Sequence, residues 1–310
     1  MGNYLIIRIS NALIVVFGVV SLVFFLIHFI PGDPIEVMLG ESAQVADREE
    51  LRAALGLDQP VLTQWINYLT HVGRLDLGIS LHSRQPILDI LLERLPATLE
   101  LALVALVFAL LIALPMGIIA AINKNSLWDS SAMTISLLGV SIPNFLMGPI
   151  LILLFSMYLG WFPVSGREGL SSIVLPALTL GTAMAAVLSR MIRATLLEVI
   201  NEDYIRTARA KGLSRLRTIV FHALPNTLLP IVTLLGMQLG ALLAGAVITE
   251  IVFSWPGIGQ LTVEAINTRD YPLAQSCILL ISISYVLVNA GTDILYSVLD
   301  PRVRLQNEKI

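Results

Sequence analysis

The sequence predicts an all-α polytopic membrane protein with six transmembrane helices and both termini in the cytoplasm. Three observations lead to this fold class: the apolar composition, six long apolar segments and the distribution of Lys and Arg. Hydrophobic residues make up 56% of the 310 residues and charged residues only 13%, whereas soluble domains carry about 25% charged residues. Mean hydropathy is +0.83. A surface so poor in charge could not keep a globule in water, so we expect a lipid bilayer around most of the chain.

The six spans follow from segment length, because a helix needs roughly 20 apolar residues to cross a hydrocarbon core of about 30 Å. The segments that meet this requirement are 9–30, 97–122, 131–157, 173–196, 228–250 and 274–298. The first is too long for a signal-peptide core, and Pro31-Gly32-Asp33-Pro34 follows it instead of a small-residue cleavage site. We therefore assign 1–30 to the N-terminus and first span, 97–298 to a five-helix core and 299–310 to a tail.

Orientation follows from the basic residues, which are enriched in cytoplasmic loops. Six spans place both termini on one side. That side holds the tail, with Arg302, Arg304 and Lys309, and the loop at 196–228, with Arg206, Arg209, Lys211, Arg215 and Arg217. The short loops on the opposite side hold only Arg167 and Arg269. The termini and the basic loop are therefore predicted to face the cytoplasm.

The first outer loop, 31–96, is predicted to be helical. After Pro60, Leu62, Trp65, Ile66 and Leu69 fall at i, i+3, i+4 and i+7, which is typical of an amphipathic helix. Capping patterns predict another helix over 47–56, and Pro86 precedes a third short one. This extracytoplasmic element either contacts a partner at the outer mouth or only packs on the spans.

The basic loop is longer than a turn needs, and its residues 203–212 have a helical composition. The small residues Thr207, Ala208 and Ala210 let another surface approach closely, and Gly212 permits a backbone turn that a β-carbon would resist. Leu224-Pro225 marks the return to the membrane. The loop is either a docking helix for a cytoplasmic partner or an amphipathic helix lying on anionic lipid.

This loop resembles the cytoplasmic signature of ABC-importer permeases: Glu-Ala-Ala, three residues, Gly, nine residues, Ile-x-Leu-Pro. Arg206-Thr207-Ala208, Gly212 and His222-Ala223-Leu224-Pro225 stand at the corresponding positions with the same spacing. Arg206 replaces Glu, Thr207 replaces Ala and His222 replaces Ile. The run from Arg206 to Gly212 is similar to the dipeptide/oligopeptide/nickel branch of that family.

Further landmarks of the same branch extend the resemblance over nearly the whole chain. They are Pro31-Gly32-Asp33-Pro34, Leu55-Gly56-Leu57-Asp58-Gln59-Pro60, Asp76-Leu77-Gly78-Ile79-Ser80, Arg94-Leu95-Pro96-Ala97-Thr98-Leu99, Trp255-Pro256-Gly257-Ile258-Gly259, Arg269-Asp270-Tyr271-Pro272 and Leu299-Asp300-Pro301-Arg302-Val303-Arg304. Each is weak alone. Seven in order, at matching places in the topology, are specific.

The resemblance implies a type I ABC-importer permease fold and a set of partners. These are a second homologous permease, two cytoplasmic ABC ATPase subunits and an extracytoplasmic solute-binding protein. The substrate it implies is a di- or oligopeptide, with nickel, glutathione or another small solute as the alternative. The residues expected to couple to the ATPases are Asp203, Tyr204, Arg206, Thr207, Ala208, Arg209, Ala210, Gly212, Leu224 and Pro225.

The chain itself is not expected to be an enzyme or to carry a cofactor. No Gly-x-x-x-x-Gly-Lys-[Ser/Thr] occurs in the sequence, so ATP hydrolysis is expected in the partner subunits. The net charge of −3 argues against a nucleic-acid partner. His28, His71 and His82 form no His-x-His or similar cluster, so no metal site is expected.

Several residues inside the spans are candidates for packing or for lining a pathway. Gly236, Gly240 and Ala244 are spaced by four, which permits close helix approach within the chain or to the second permease. Pro143 and Pro149 are expected to kink the third span. The candidate pathway-lining residues are Ser141, Asn144, Thr233 and Gln238, each of which could instead bond between helices.

Three acidic residues keep other readings open. Glu100 and Glu250 lie near outer ends of spans, where we expect exposure at the interface or contact with the cationic end of a peptide. Asp293 lies in the sixth span and would be costly if charged and unpaired there. It is the candidate titrating group of a more remote alternative, an ion-coupled secondary transporter.

Overall fold

The computed structural model describes residues 2–29, 35, 49, 52–53 and 58–299, and none of these residues forms a strand. We number the helices within these ranges in chain order. They are α1 (Gly2–Phe29), α2 (Val61–Gly73), α3 (Ile87–Ile122), α4 (Leu127–Ser141), α5 (Asn144–Leu151), α6 (Val174–Val199), α7 (Asp203–Ala210), α8 (Arg215–Thr218), α9 (Leu224–Val252), α10 (Ile258–Asn267) and α11 (Tyr271–Leu299). π-Helical turns extend α5 over Ile152–Tyr158 and join α8 to α9 over Ile219–Ala223. Of the helix expected over 47–56, only residues 49, 52 and 53 are described, and they are helical. The tail, from residue 300 onward, lies outside the described residues.

Three of these helices contain segments long and apolar enough to cross a membrane: Ile87–Ile122, Val174–Val199 and Tyr271–Thr292. Two bent pairs meet the same test together, Leu127–Ser141 with Asn144–Tyr158 and Arg215–Leu228 with Pro230–Gly240. Helix α1 contributes a shorter apolar stretch, Ile9–Phe25, within the residues searched. The all-helical membrane fold is confirmed, whereas the count of six spans stays a prediction.

The second predicted span and the short helix expected before it are one continuous helix, so the prediction of two helices is wrong. Helix α3 starts after Pro86 and runs through Pro96. Ile87 and Leu91 in its first turns are buried against Leu261 of α10 and Cys277 of α11. This burial outweighs the helix-breaking tendency of Pro96, which is about 3 kcal/mol.

The third predicted span, 131–157, is not one helix, because α4 and α5 meet at an angle of 105°. Pro143 disfavours the helical conformation at the residue before it, and Ile142 is extended with φ −87° and ψ 115°. Helix α5 restarts at Asn144 and passes through Pro149. The proline kinks were expected, but the break at residues 142–143 is far sharper than a kink.

The core is built on α3 and α6, which pack through small residues. Ala105, Ala109, Ala113 and Gly117 follow one another every four residues along α3, and the three alanines are fully buried. A Cβ on Gly181 of α6 would lie 2.9 Å from the backbone oxygen of Ala105. The two backbones therefore approach as closely as glycine and alanine allow.

Replacing Gly181 with leucine should separate α3 from α6 and destabilise the protein. Overpacking a tight core costs typically about 1–3 kcal/mol, and more where backbone must move. We expect a clearly shorter half-life at elevated temperature for the purified permease in detergent. Gly18→Leu is the matched control, because a Cβ there meets no described atom within 4 Å. Equal half-lives for the two variants would contradict this packing.

Two glycines of the predicted small-residue series lie against α11 of the same chain. A Cβ on Gly236 would overlap the side chain of Thr292, and one on Gly240 would lie 2.9 Å from the ring of Tyr285. These glycines therefore permit close packing within the chain. The side chain of Ala244 is outside the described part of the structure.

Candidate functional site

The helix of the basic loop, α7, is anchored by one face and exposed on the other. Ile205 and Ala208 are buried, and Ile205 belongs to the main core together with Ile219 and Ala223. The remaining residues of α7, which are Asp203, Tyr204, Arg206, Thr207, Arg209 and Ala210, are exposed. A short helix fixed in the core in this way presents a stable surface to a partner.

The exposed side chains of α7 have weak or local partners. The Arg206 guanidinium lies 3.5 Å from the Asp203 carboxylate, and both side chains are at least three-quarters exposed, so this ion pair adds little stability. The Thr207 hydroxyl donates to the Asp203 carbonyl oxygen. Partial burial raises the pKa of Tyr204, and a hydrogen bond with Asn226 acts in the opposite direction. The charged groups of α7 thus remain available to a partner.

Gly212 ends α7 in the left-handed region, with φ +84°. Its amide donates to the Arg209 carbonyl oxygen, and that of Lys211 donates to Thr207. Ser214 then caps α8 by accepting from the Arg217 amide. The left-handed conformation at Gly212 therefore favours glycine over residues with a β-carbon. Farther along, Leu224 is half-buried and Pro225 is exposed at the start of α9.

An ion pair that the sequence did not reveal joins α4 to α6 near the basic loop. Arg193 Nε and Nη2 bond Asp129 Oδ1 and Oδ2 at 2.6 and 2.7 Å. The guanidinium of Arg215, in the loop itself, donates to the carbonyl oxygen of Ile122 at the end of α3. The ion-paired residues are 64 positions apart, so no local pattern links them.

At the other end of the core, Glu250 is fully buried, so its expected exposure at the interface is wrong. Its carboxylate accepts from the Thr98 hydroxyl at 2.7 Å and from the Gln260 amide at 2.9 Å. The indole of Trp255 donates to the Ala97 carbonyl oxygen at 2.8 Å. The landmark motifs at 94–99 and 255–259 therefore lie together as one hydrogen-bonded cluster.

A second pair of landmark motifs also meets. Asp270 is buried, and its carboxylate accepts from the Ser80 hydroxyl at 2.5 Å and from the His82 amide at 3.2 Å. Glu100 is in neither cluster and forms an ion pair with Arg167, with Oε2 of Glu100 lying 2.6 Å from Nη2 of Arg167. The motifs at 76–80 and 269–272 thus fix the loop before α3 against the start of α11.

The four candidate pathway residues do not line the described cavity that lies beside the break between α4 and α5. Ser141 is exposed and donates back to the Leu137 carbonyl oxygen, while Asn144, Thr233 and Gln238 are half-buried. A cavity of about 240 Å³ beside the break is apolar, and none of the four is among the described residues lining it. It is lined by Ile112, Met116, Ile135, Ser136, Leu138, Gly139, Ile142, Met147, Thr182, Ala185 and Ala186.

A helical membrane chain that holds a short, exposed helix between two of its spanning helices has the architecture of a transporter permease. Comparison with known proteins agrees. Residues 113–305 match the family described as binding-protein-dependent transport system inner membrane component, and residues 1–102 match its N-terminal family. The chain belongs to this family of inner-membrane permease components. Its place is therefore the inner membrane, where it is a permease component.

Curated relatives are similar over nearly their whole length. The chain is 46% identical to the di/tripeptide transport system permease of Pseudomonas aeruginosa, covering 94% of this chain and 95% of that one. It is 42% identical to the dipeptide transport system permease of Escherichia coli K12, covering 93% and 94%. It is also 41% identical to the glutathione transport system permease of that strain, covering 98% and 99%.

A solved structure shares the fold. The match to a methionine ABC transporter in an inward-facing conformation has a TM-score of 0.59 at 20% identity. It covers 70% of this chain and 99% of the other. The helical permease fold expected from the resemblance is therefore confirmed.

Proposed function

We propose that this chain is the transmembrane permease subunit of an ATP-driven importer for di- or oligopeptides, fed by an extracytoplasmic binding protein. The observation that carries the proposal is α7 with its Gly212 turn, buried through Ile205 and Ala208 and exposed elsewhere. In this proposal a second homologous permease completes the pathway, and two ABC ATPase subunits bind from the cytoplasm. The termini and α7 lie on the cytoplasmic side, because the basic residues cluster there.

The coupling surface is proposed to comprise the exposed residues of α7, the Gly212 turn and the start of α9. Asp203, Arg206 and Arg209 supply charge, while Thr207 and Ala210 allow close approach. Ala208 contributes from the buried side by fixing the helix, and Leu224 and Pro225 connect it to α9. When the ATPases close on ATP, a helix anchored in this way would carry their movement into the spans.

Peptides are the preferred substrate because two relatives of high identity are named for di- or tripeptide transport. Glutathione is the alternative, since a relative of almost equal identity is named for it. The candidate lining residues Ser141, Asn144, Thr233 and Gln238 are uncharged. Such a lining would suit peptides, because peptides vary in charge.

Uptake of radiolabelled dipeptide, tripeptide and glutathione by cells that lack this chain tests the proposal. We expect the wild-type gene to restore dipeptide or tripeptide uptake more than glutathione uptake. Restoration of glutathione uptake alone would replace the substrate but keep the importer class. In proteoliposomes, uptake that needs a proton gradient and no ATP would instead favour the ion-coupled alternative.

A further inference from the structure

Helix α4 is fastened to α6 at three successive levels. Asp129 bonds Arg193 through both carboxylate oxygens. The hydroxyls of Ser136 and Ser189 are 2.7 Å apart. Higher on α4, a Cβ on Gly139 would lie 3.2 Å from that of Ala186. From one contact to the next, the residue numbers increase along α4 and decrease along α6. This is expected for two antiparallel helices in contact along their length.

The ion pair is the strongest of these contacts. The Asp129 side chain is only 6% exposed and that of Arg193 26%. The same carboxylate accepts from the Asn125 amide at 2.9 Å, and the Asp129 amide donates to Ser126 Oγ. A bidentate arginine–carboxylate pair is charge-assisted and geometrically specific. It therefore fixes both the start of α4 and the turn that connects α3 to it.

The two ends of this assembly have different properties. At one end, α6 passes after Val199 into α7 within a few residues. At the other end, α4 stops at the break at residues 142–143, where the apolar cavity of about 240 Å³ lies between α3, α4, α5 and α6. A rigid pair of helices that ends beside a break and a cavity can transmit a displacement to that break.

We propose that Asp129 and Arg193 are positioning residues that make α4 move with α6 and α7. Displacement of α7 then changes the angle between α4 and α5 at residues 142–143, where the candidate pathway residues Ser141 and Asn144 stand. This inference rests on the proposed docking of α7 to the ATPases. Neither residue is expected to touch the transported solute.

The first test measures solute transported per ATP hydrolysed by the complete transporter in proteoliposomes. Asp129→Asn and Arg193→Gln should each lower this ratio about tenfold, because loss of a charged hydrogen-bond partner leaves the other group unpaired. Arg190→Gln is the matched control, since Arg190 lies one turn away on α6, is exposed, and its Nε donates to the Ala186 carbonyl oxygen of the same helix. Combining Asp129→Arg with Arg193→Asp should recover much of the ratio.

An unchanged ratio in assembled Arg193→Gln complexes would overturn the proposal, even if their yield fell, because the pair would then serve folding alone. A control variant as impaired as Arg193→Gln would overturn it too. Docking itself is followed separately, by cross-linking a cysteine at Arg206 to the ATPases. If the cross-links form and Arg193→Gln leaves the ratio of solute transported to ATP hydrolysed unchanged, the positioning role is rejected. If no cross-links form, the docking of α7 to the ATPases is rejected.

The second test measures a distance with spin labels at Leu127→Cys and Asn201→Cys, in a Cys277→Ser background. Both labelled positions are exposed, one at the start of α4 and the other just before α7. The distance should be the same in the nucleotide-free and vanadate-trapped states of the otherwise wild-type complex. It should differ between those states in Arg193→Gln. If the distance differs between the two states even in the complex without Arg193→Gln, α4 does not move with α6.

Discussion

Replacing Gly212 with valine should remove most transport while leaving the transporter assembled. The residue has φ +84°, a conformation that costs a residue with a β-carbon about 1–2 kcal/mol and is worst for β-branched side chains. No described atom lies within 4 Å of the position of a Cβ, so the effect is one of backbone conformation and not of steric overlap. We expect α7 to lose its orientation, and uptake of labelled peptide in cells to fall by about tenfold or more.

Two further variants isolate the cause. Gly212→Asn should retain most uptake, because asparagine tolerates the left-handed conformation. Gly73→Val, at the end of α2, adds the same side chain where φ is not left-handed and no described atom is within 4 Å, and should be close to wild type. Equal uptake by Gly212→Val and Gly73→Val, at equal membrane levels, would remove the turn from the coupling surface.

Replacing Gly259 with alanine should prevent stable assembly, although it adds only one methyl group. That carbon would lie 2.6 Å from the Cα of Val247 and 2.9 Å from Oε2 of Glu250. The first is backbone of α9 and cannot turn away, and the second belongs to a buried carboxylate held by Thr98 and Gln260. We expect a loss of several kcal/mol, above the usual range of about 1–3 kcal/mol for overpacking.

The measurement is the half-life of the purified permease pair in detergent at a fixed elevated temperature, since membrane proteins often unfold irreversibly. Gly291→Ala in α11 is the matched control, because the added carbon meets no atom of the described residues within 4 Å. A half-life for Gly259→Ala as long as that of the control would mean that the cluster around Glu250 is loose enough to accommodate the methyl group.

The features that could be predicted from the sequence are those with a local pattern. Helix α2 follows from the spacing of Leu62, Trp65, Ile66 and Leu69, and α7 follows from the composition between Glu202 and Gly212. A kink near Pro143 also follows from the sequence, although the angle of 105° at residues 142–143 was not expected. In each case the physical cause lies within a few residues of the effect, as a helical period or a restricted backbone angle.

The features that could not be predicted depend on contacts between distant parts of the chain. Thr98 and Glu250 are 152 residues apart, and Ser80 and Asp270 are 190 apart. An acidic residue near the end of a span suggests exposure, and only the folded chain shows that neighbouring hydroxyl and amide groups make burial acceptable. The same holds for Ile87 and Leu91, whose burial on α10 and α11 extends α3 through Pro96.

The uninterrupted course of α3 bears on the construction of chimaeras. The match to the N-terminal family ends at residue 102 and the other match begins at residue 113. Both positions are inside the helix Ile87–Ile122. A chimaera that takes its N-terminal part from a relative would therefore have its joint in the middle of a continuous helix. One residue gained or lost there would turn everything beyond the joint by about 100°. Ile87 and Leu91, which precede the joint, would then no longer face α10 and α11, so only grafts that preserve length should yield a working permease.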